Sequence, residues 1–409
     1  MKIALVPFGS RGDIQPFLAL GTALRARGHD VDLITTGNFR ALAGEAGLTL
    51  QEVPGDTGNF FELPAVVESI RKSPSALRMT RKLPDVDAAT YGEVLARIDD
   101  ACAYADFTVN ALFTKGINVA RDDRNWCATS WWPVTPTRHF PAFGAPEVPL
   151  GTPYHRFSHL VSGQVEWLKT RAMVNDFRSR RGLGKLGLRS AYRDLGHRTP
   201  LLYPYSPELI PPPLDWPAEA HVTGYWFWER DWTPPPELVE FMETEPKPLV
   251  ATFGSTWAVH REDETRAALR TAARRAGRRI VVVGGRPEPL DDGDFHLREA
   301  DYRWLFSRAA AVIHHGGYGT TAEVLRAGAP QVVVPTFADH PFWSQRVRAL
   351  GVGSKPVPFQ RLAPEPLAAS VLEALGNPAI AAKAAQVGTR VQAERGTELA
   401  CDLIERHLH

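Results

Sequence analysis

The sequence predicts an α/β protein with two parallel sheets, one in each half of the chain. Short apolar runs alternate with segments of helical periodicity near the start, and again after residue 249. Such alternation is typical of parallel sheets whose crossover connections are helices. Proline runs at 211–213 and 234–236 lie between the two halves and indicate a linker.

The first series opens on an apolar strand. Residues 3–6 read Ile-Ala-Leu-Val, and a Gly-rich loop follows over 8–13. Apolar residues then recur at helical spacing over 14–27, and a second apolar run covers 31–35. The order strand, helix, strand predicts a βαβ unit.

The second series consists of nearly continuous apolar runs. Strands are predicted at 249–253, 280–284, 309–314 and 331–335, with helices at 266–276 and 319–327. Continuous apolar runs suit a parallel sheet that is buried on both faces. We therefore predict a first domain over 1–210, a linker over 211–236, a second domain over 237–385 and a C-terminal helix over 386–409.

Composition excludes several classes of protein. Lys and Arg total 47 against 46 Asp and Glu, so the net charge of +1 gives no reason to expect nucleic acid as a partner. Three cysteines with no C-x-x-C pair indicate a reducing cytoplasm. The apolar runs are too short for a signal peptide or a membrane span. Residues 178–198 are basic and predict a solvated face, with peripheral contact to an anionic membrane as the alternative.

A histidine- and glycine-rich string at 314–321 (HHGGYGTT) is the strongest local signal. It follows a predicted strand and opens a predicted helix, so backbone N–H groups and the helix N-terminus can bind a pyrophosphate. A Gly-rich turn with threonine caps is the ordinary alternative. The residues assigned to this site are His315, Gly316, Gly317, Gly319 and Thr320.

Acidic residues follow this string at useful distances. Glu323 lies eight positions after His315, about two helical turns, where a carboxylate could bind ribose hydroxyls. Asp339 and His340 come just after the last predicted strand, where open α/β sheets bind ligands. The ordinary alternative for Glu323 is a solvated helix residue. For Asp339 and His340 it is a loop aspartate next to a histidine whose hydrogen bonds are satisfied.

The loop after the first strand carries another candidate acid. It lacks the G-x-G-x-x-G pattern, which disfavours a dinucleotide site. Asp13 lies at or next to a helix N-terminus, which favours its ionised form, and an ionised carboxylate can act as a general base. A simple cap is the alternative for Asp13, and a solvated loop residue is the alternative to an anion contact for Arg11.

These motifs together resemble the family-one glycosyltransferases of the GT-B fold. The nearest branch is the sterol 3-beta-glucosyltransferases with their bacterial relatives, close to the vancomycin-type antibiotic glycosyltransferases. The segments that carry the resemblance are 9–16 (GSRGDIQP), 133–141 (PVTPTRHFP), 203–207 (YPYSP), 215–217 (DWP), 221–227 (HVTGYWF), 253–255 (FGS), 314–321 and 339–343 (DHPFW).

The resemblance implies two Rossmann-like domains that face each other across a cleft. The first domain would bind a lipophilic acceptor such as a sterol or polyketide, and the second a nucleotide diphosphate sugar. The C-terminal helix would pack back toward the first domain. Transfer to an acceptor hydroxyl would be inverting and metal-independent, from UDP-glucose or a TDP-deoxysugar. No cofactor beyond this co-substrate is expected, and the protein would be a monomer or homodimer.

The resemblance also implies residue roles. Asp13 would be the base, Ser255 would contact a phosphate, and the 315–320 segment would hold the pyrophosphate. Glu323 would bind ribose, and Asp339 with His340 would bind the sugar. We also assign Ser10, Arg11 and Gly12 to the donor.

Two positions depart from the family pattern. His340 stands where Gln is usual, which leaves galactose or a deoxysugar open as the donor sugar, and Tyr318 stands where a small residue is usual. The first loop has no histidine, which leaves Asp13 as the base.

Aromatic residues of the first half are candidates for the acceptor pocket, although buried aromatics are often plain core. The residues assigned are Phe60, Phe61, Trp132, Phe140 and Phe143, with Trp131 as a further candidate. Three Asp-x-Asp pairs occur, but a hard cation needs several converging oxygen ligands, so no metal site is predicted. The rival functions are a GT-B epimerase, a non-catalytic nucleotide-sugar-binding auxiliary protein and a nicotinamide oxidoreductase.

Overall fold

The computed structural model of the chain describes residues 1–56, 63–72, 88–112, 114–121, 125–146, 148–286 and 294–408. The chain divides into two compact units. The first comprises Met1–Gly58, Asp85–Trp228 and Arg395–His409, and the second comprises Asn59–Pro84 and Glu229–Glu394.

The first unit is built on a seven-stranded parallel sheet of order β3-β2-β1-β4-β5-β6-β7. Its strands are β1 (Lys2–Val6), β2 (Asp30–Thr36), β3 (Thr49–Val53), β4 (Phe107–Ala111), β5 (Trp126–Thr129), β6 (Leu201–Tyr203) and β7 (Ala220–Val222). Its helices are α1 (Arg11–Ala26), α2 (Arg40–Glu45), α4 (Ala88–Cys102), α5 (Gly116–Arg121), α6 (Gly151–Arg180) and α14 (Gly396–Arg406), and α3 (Pro64–Lys72) belongs to the second unit.

Both faces of this sheet are covered by helices. Ala4 and Val6 pack with Val94 and Ile98 of α4 on one face. On the other face α1 approaches β1 so closely that a Cβ on Gly21 would lie 3.0 Å from Leu5 Cδ1. This burial on both sides is why the strands are apolar throughout.

The second unit contains a five-stranded parallel sheet of order β10-β9-β8-β11-β12. Its strands are β8 (Leu249–Thr252), β9 (Ile280–Val283), β10 (Asp294–Leu297), β11 (Ala311–His314) and β12 (Gln331–Val333). Its helices besides α3 are α7 (Pro236–Glu243), α8 (Glu262–Arg275), α9 (Tyr302–Phe306), α10 (Tyr318–Ala327), α11 (His340–Leu350), α12 (Pro364–Gly376) and α13 (Pro378–Gln392). Alternate residues of β8 pack into two different apolar clusters, one on each face of the sheet.

The strand order reverses once in each sheet. β1 lies between β2 and β4, and β8 lies between β9 and β11. The chain therefore adds strands first on one side of β1 or β8 and later on the other side. Ligands of open α/β sheets bind at the carboxyl ends of strands at such a reversal. The loops after β1, β8 and β11 are therefore the places in each unit where a site is expected.

Several boundaries differ from those predicted. Helix α1 begins at Arg11, so the first loop ends at Ser10 and Asp13 lies inside the helix. The predicted linker over 211–236 contains β7, which pairs with β6 in the first sheet. Helix α3 lies within the predicted first domain but packs in the second unit, where Arg71 Nε donates to Val259 O at 2.8 Å.

The predicted C-terminal helix over 386–409 is instead the end of α13 followed by α14. Helix α14 packs on α1 in the first unit. Arg27 Nη1 binds Asp402 Oδ1 at 2.6 Å and Glu405 Oε2 at 2.8 Å. The described part of the chain contains no helix long and apolar enough to span a bilayer.

Close packing of α13 on the end of α10 gives a test of the second unit. A Cβ on Gly388 would lie 2.6 Å from Gly328 Cα, a backbone atom that cannot turn aside. We expect Gly388→Ala to lower the free energy of unfolding by about 1–3 kcal/mol in urea denaturation. As the matched control, Gly163→Ala in α6 meets no atom within 4 Å and should raise it by about 1 kcal/mol. A Gly388→Ala protein as stable as wild type would contradict the packing.

Candidate active site

The loop after β1 closes around the Asp13 carboxylate. Oδ2 accepts hydrogen bonds from the Ser10 backbone N–H at 2.7 Å and from Ser10 Oγ at 3.0 Å. Gly9 has φ +141°, and a Cβ there would lie 2.3 Å from the same oxygen. Only glycine lets the backbone approach this closely. Arg11, exposed, and Gly12, half-buried, are the first two residues of α1 beside it.

Burial controls the acidity of Asp13. It raises the pKa of the carboxyl from 3.8 to about 6, and hydrogen bonds from Ser10 and from the Trp131 side chain oppose the rise. The expected effect of the helix N-terminus is therefore outweighed by desolvation. At neutral pH the ionised form still predominates, and its pKa is close to the value that suits a general base.

Trp131 is held against the carboxylate by other aromatic rings. It follows β5, is 5% exposed and meets Phe17 edge to face with ring centroids 5.9 Å apart. Phe17 meets Trp226 in the same way at 6.2 Å. Trp131 therefore offers a hydrogen bond to Asp13 rather than a free surface to an acceptor. No local sequence signal identifies this contact, because β4 separates β5 from β1.

Hydrogen bonds from two of the segments that carry the family resemblance fix the position of a third, the segment 133–141. Tyr203 Oη accepts hydrogen bonds from the backbone N–H of Val134 at 3.1 Å and of Thr135 at 2.8 Å. The Asp215 carboxylate accepts from Thr137 Oγ1 at 2.7 Å and from the Arg138 N–H at 2.9 Å. Segments 203–207 and 215–217 thus fix segment 133–141, which begins two residues after Trp131.

The predicted acceptor aromatics divide into three groups. Trp132 and Phe143 are half-buried and stack with centroids 4.7 Å apart and planes 22° apart. Phe140 is buried, with its ring 6.2 Å from that of His159. Phe60 and Phe61 lie outside the described residues. The acceptor role of all five stays a prediction.

In the second unit, two glycines lie against the His315 ring. A Cβ on Gly254 would lie 3.0 Å from its Cε1, and a Cβ on Gly317 would lie 2.4 Å from its Nε2. Ser255 follows Gly254 and is exposed. The loops after β8 and β11 therefore meet at this imidazole, which brings together the predicted residues Ser255, His315 and Gly317.

His315 is neutral at physiological pH. Burial lowers its pKa well below 6.5, the nearby His340 and His314 add to this, and a hydrogen bond with the Thr252 backbone opposes it. Its Nδ1 is buried and makes no hydrogen bond to any described residue. A buried polar atom of this kind is stabilised when a ligand supplies the missing partner.

The glycines after His315 shape the start of α10. Gly316 has φ +82°, and a Cβ there would lie 2.8 Å from Val333 Cγ1. Gly317 is the N-cap residue, and Gly319 and Thr320 lie in the first helical turn. N–H groups of a first turn have no partner within the helix and carry partial positive charge. The arrangement offers oriented N–H groups to an anion, and pyrophosphate binding by these residues stays a prediction.

Glu323 is paired rather than solvated. Its Oε2 accepts from Arg326 Nε at 3.1 Å and Nη2 at 2.7 Å, and Arg326 also binds Glu229. Burial raises the pKa of Glu323 to about 7, with Arg326 opposing and Glu229 and Asp301 adding to the rise. Its binding of ribose stays a prediction.

The loop after β12 is strained next to Asp339. Ala338 has φ 51°, the one positive value at a non-glycine residue in the described ranges, and such strain clusters at functional sites. Asp339 Oδ2 accepts from Trp343 Nε1 at 2.9 Å. His340 is 5% exposed and lies edge to face with His315 at 4.8 Å. His340 thus supports the His315 ring, and its contact with the sugar stays a prediction.

The described aspartates of the Asp-x-Asp pairs do not form a metal centre. Asp32 pairs with Lys2 at 3.2 Å and Asp294 with Arg270 at 2.8 Å, while Asp85, Asp87 and Asp292 lie outside the described residues. Within the described ranges, no three side chains of the metal-binding types converge.

Comparison with known proteins identifies the family. Residues 3–109 match the glycosyltransferase family 28 N-terminal domain, and residues 301–405 match the C-terminal domain of erythromycin biosynthesis protein CIII-like proteins. O-mycaminosyltylonolide 6-deoxyallosyltransferase of Streptomyces fradiae is 47% identical over 99% of this chain and 97% of its own length. The chain is a glycosyltransferase. The family prediction is confirmed, and the alternative of a nicotinamide oxidoreductase is wrong.

More distant relatives agree with this assignment. A sterol 3-beta-glucosyltransferase of Cryptococcus neoformans is 31% identical over the whole glycosyltransferase chain, which spans 27% of that protein. An Arabidopsis thaliana sterol 3-beta-glucosyltransferase is 33% identical over 88% of the chain and 58% of its own length. The chain thus covers only part of the sterol enzymes.

Solved structures establish the fold class. The calicheamicin glycosyltransferase superposes with a TM-score of 0.71 at 18% identity, over 100% of this chain and 98% of its own. The glycosyltransferase of kitacinnamycin gives 0.69 at 19%, over 100% and 99%. The predicted GT-B fold with two Rossmann-like domains is confirmed.

The raised pKa of Asp13 predicts a pH-dependent gain in stability for Asp13→Asn. Its pKa is higher in the folded state than the unfolded value of 3.8, so the Asp13 contribution to wild-type stability falls as pH rises from about 4 to about 6. Asparagine does not titrate, so its advantage should grow over this range and stay constant above it. Converted at about 1.4 kcal/mol per pH unit, the gain is at most about 3 kcal/mol.

Urea denaturation at a series of pH values measures this difference. Asp100→Asn, at an exposed acid on α4, is the control and should show no comparable gain. A difference between Asp13→Asn and wild type that does not change between pH 4 and pH 7 would contradict the raised pKa.

Proposed function

We propose that this glycosyltransferase transfers a 6-deoxyhexose from a nucleoside diphosphate to a hydroxyl of a polyketide macrolide or a similar lipophilic natural product. The observation that carries the proposal is the 47% identity, almost end to end, with a 6-deoxyallosyltransferase whose acceptor is O-mycaminosyltylonolide. Glucosylation of a sterol is the second candidate, favoured by full coverage of the chain at 31% identity. We further propose that transfer inverts the anomeric carbon and needs no metal.

The second unit would hold the donor. A diphosphate carries negative charge that must be compensated, and the first turn of α10 with the loop before it offers backbone N–H groups at a strand-order reversal. As a neutral imidazole His315 has one N–H, and it would donate this group to a phosphate oxygen in exchange for its hydrogen bond with the Thr252 backbone. Ser255, exposed beside Gly254, would reach a phosphate oxygen.

The sugar side supports a deoxysugar over glucose. Asp339 is the accepting group near the loop, and His340 is buried against His315 rather than open to a hydroxyl. When a sugar lacks a hydroxyl, every protein group that would have bonded that hydroxyl is left without a partner. A sugar site with fewer such protein groups is therefore penalised less by a deoxysugar. This supports a donor with one hydroxyl fewer than glucose.

Asp13 of the first unit would remove the proton from the acceptor. Its carboxylate is fixed by Ser10 and Trp131, and its pKa of about 6 leaves it ionised at neutral pH. As the new glycosidic bond forms, the bond to the diphosphate breaks and the anomeric carbon passes through an oxocarbenium-like state. Fixed N–H groups would stabilise the charge that collects on the leaving diphosphate, the role a metal has in other enzymes.

The acceptor would lie against aromatic surface of the first unit. Trp132 and Phe143 form a stacked, half-buried pair in the segment that also supplies Trp131. An epimerase or a non-catalytic auxiliary protein would need no such surface. The three cysteines are buried and form no disulfide in the described ranges, which supports a reducing cytoplasm as the location, and the protein would be a monomer or homodimer.

The proposal is tested by a matrix of donors and acceptors with chelator present. UDP-glucose, TDP-glucose and TDP-6-deoxyhexoses are incubated with macrolide aglycones, their monoglycosides and sterols, and products are read by mass spectrometry. We expect a deoxyhexose mass gain on a macrolide, and Asp13→Asn should lower kcat by about 100-fold or more while donor affinity is kept. Glucosylated sterol would favour the second candidate, and donor turnover without any acceptor would favour an epimerase.

The pH profile separates a base from a merely structural carboxylate. Because the ionised form is active, kcat/KM should rise through about pH 6 and level off above it. Trp131→Phe removes a hydrogen bond that lowers the Asp13 pKa, so the rising limb should move to higher pH. The neighbouring Trp132→Phe is the matched control and should leave the limb in place. A profile identical in all three proteins would remove Trp131 from the base.

His315 gives a separate test of the donor site. We expect His315→Ala to weaken nucleotide-sugar binding by about tenfold or more in calorimetry, since a hydrogen bond to a charged group is lost. Gly317→Ala keeps the imidazole but places a methyl group 2.4 Å from Nε2, so it should also weaken binding. Wild-type affinity should show no histidine titration between pH 6 and pH 8. Unchanged affinity in both variants would contradict this donor site.

A further inference from the structure

Exposed apolar side chains are concentrated in one region of the first unit. Of the fourteen large apolar residues that are exposed in the described ranges, eight lie between Val148 and Leu188. This segment is about a tenth of the chain. Large exposed apolar patches on a globular protein generally mark a contact surface.

The residues form a continuous face on helix α6. Phe157, Leu160, Val161 and Leu168 follow helical spacing, and they are between 40% and 71% exposed. Leu188, 67% exposed, is brought beside them because Gln164 Nε2 donates to its carbonyl at 2.8 Å. We call these five residues the α6 apolar face. Trp167 and Val174 of the same helix point into the core instead, at 0% and 1% exposure.

Positive charge is concentrated in the segment of the chain that carries this face. Residues 151–198 contain ten Lys and Arg against three Asp and Glu, a net +7, whereas the whole chain carries +1. The rest of the chain therefore carries −6. Lys169 on α6 and Lys185 and Arg189 next to Leu188 are exposed. The charge is segregated to the part of the chain that carries the apolar face.

The charge decides between possible occupants. A two-fold contact between copies would place the same +7 segment against itself, which costs energy at short range. An anionic partner is favoured instead. The five side chains of the face are apolar and offer no hydrogen bonds to specify a protein partner, and Gln164 beside them is already bonded to Leu188.

We propose that the α6 apolar face docks on an anionic lipid bilayer. Apolar side chains of a surface helix enter the headgroup region while nearby Lys and Arg bind the negative surface, which is the arrangement of peripheral membrane helices. The helix would lie on the membrane and not cross it. This inference stands independently of the proposed donor and acceptor.

Vesicle co-sedimentation of the full chain tests the proposal. Wild type should bind vesicles of phosphatidylcholine with phosphatidylglycerol at low salt, bind phosphatidylcholine alone weakly, and lose binding at high salt because exposed charges are screened. Leu160→Ser with Leu168→Ser should weaken binding by about tenfold or more, as less apolar surface is buried. Lys185→Glu with Arg189→Glu should abolish the preference for anionic vesicles.

Matched controls exclude a loss of folding. Leu372→Ser with Leu399→Ser changes two helix leucines that are 48% and 39% exposed elsewhere, and should bind as wild type does. All variants should keep the wild-type melting temperature and sugar-transfer activity in solution. Failure of wild type to bind anionic vesicles, or equal binding by the Leu160/Leu168 variant, would overturn the proposal. The proposal would also be overturned if wild type were a dimer and the Leu160/Leu168 variant a monomer, since the face would then be a contact between copies.

Discussion

The reversal of strand order in each parallel sheet is the constraint on which both candidate sites depend. The chain continues from β1 to β2 on one side of β1 and later returns to place β4 on the other side. In the second sheet β9 and β11 lie on the two sides of β8 in the same way. The carboxyl ends of these strands are therefore not covered by their own connections. Asp13 follows β1, Ser255 follows β8 and His315 follows β11, so topology alone places the principal candidates at the open edge of their sheet.

Glycine then determines how closely these loops can approach. The backbone at Gly9 lies against the Asp13 carboxylate, and Gly254 and Gly317 lie against the His315 ring. At Gly9 and Gly317 a methyl group would overlap a polar side-chain atom, and at Gly254 it would press on the ring carbon Cε1. The glycines that looked in the sequence like a flexible phosphate loop thus have a second role, because they fix one side chain by contact with the backbone.

The sequence predicts β1, β2, β8, β9, β11 and β12 within about two residues, because each is an apolar run bounded by turn residues. The other six strands of the two sheets, β3 to β7 and β10, were not predicted. The sequence also predicts Asp13, His315 and Asp339, because their motifs are local. Contacts between distant segments were not predictable. Trp131 reaches Asp13 from a strand that is not its neighbour, α3 packs in the second unit against the order of the chain, and β7 lies inside a proline-rich stretch. Strain at Ala338 likewise has no local signal, since alanine has no preference for positive φ.

Burial disfavours ionisation of both the acidic and the basic side chains in these sites. It raises the pKa of Asp13 to about 6 and of Glu323 to about 7, and it lowers those of His314 to about 4 and His340 to about 3. Burial thus disfavours the charged form of each of these groups. A ligand that brings its own charge to the second unit would then be met at His315 by neutral donors and helix N–H groups rather than by a cation. Such donors are already oriented, so they need no reorganisation when charge shifts onto the leaving diphosphate. The low polarity that makes these groups costly to ionise is the same property that strengthens their hydrogen bonds to an anion.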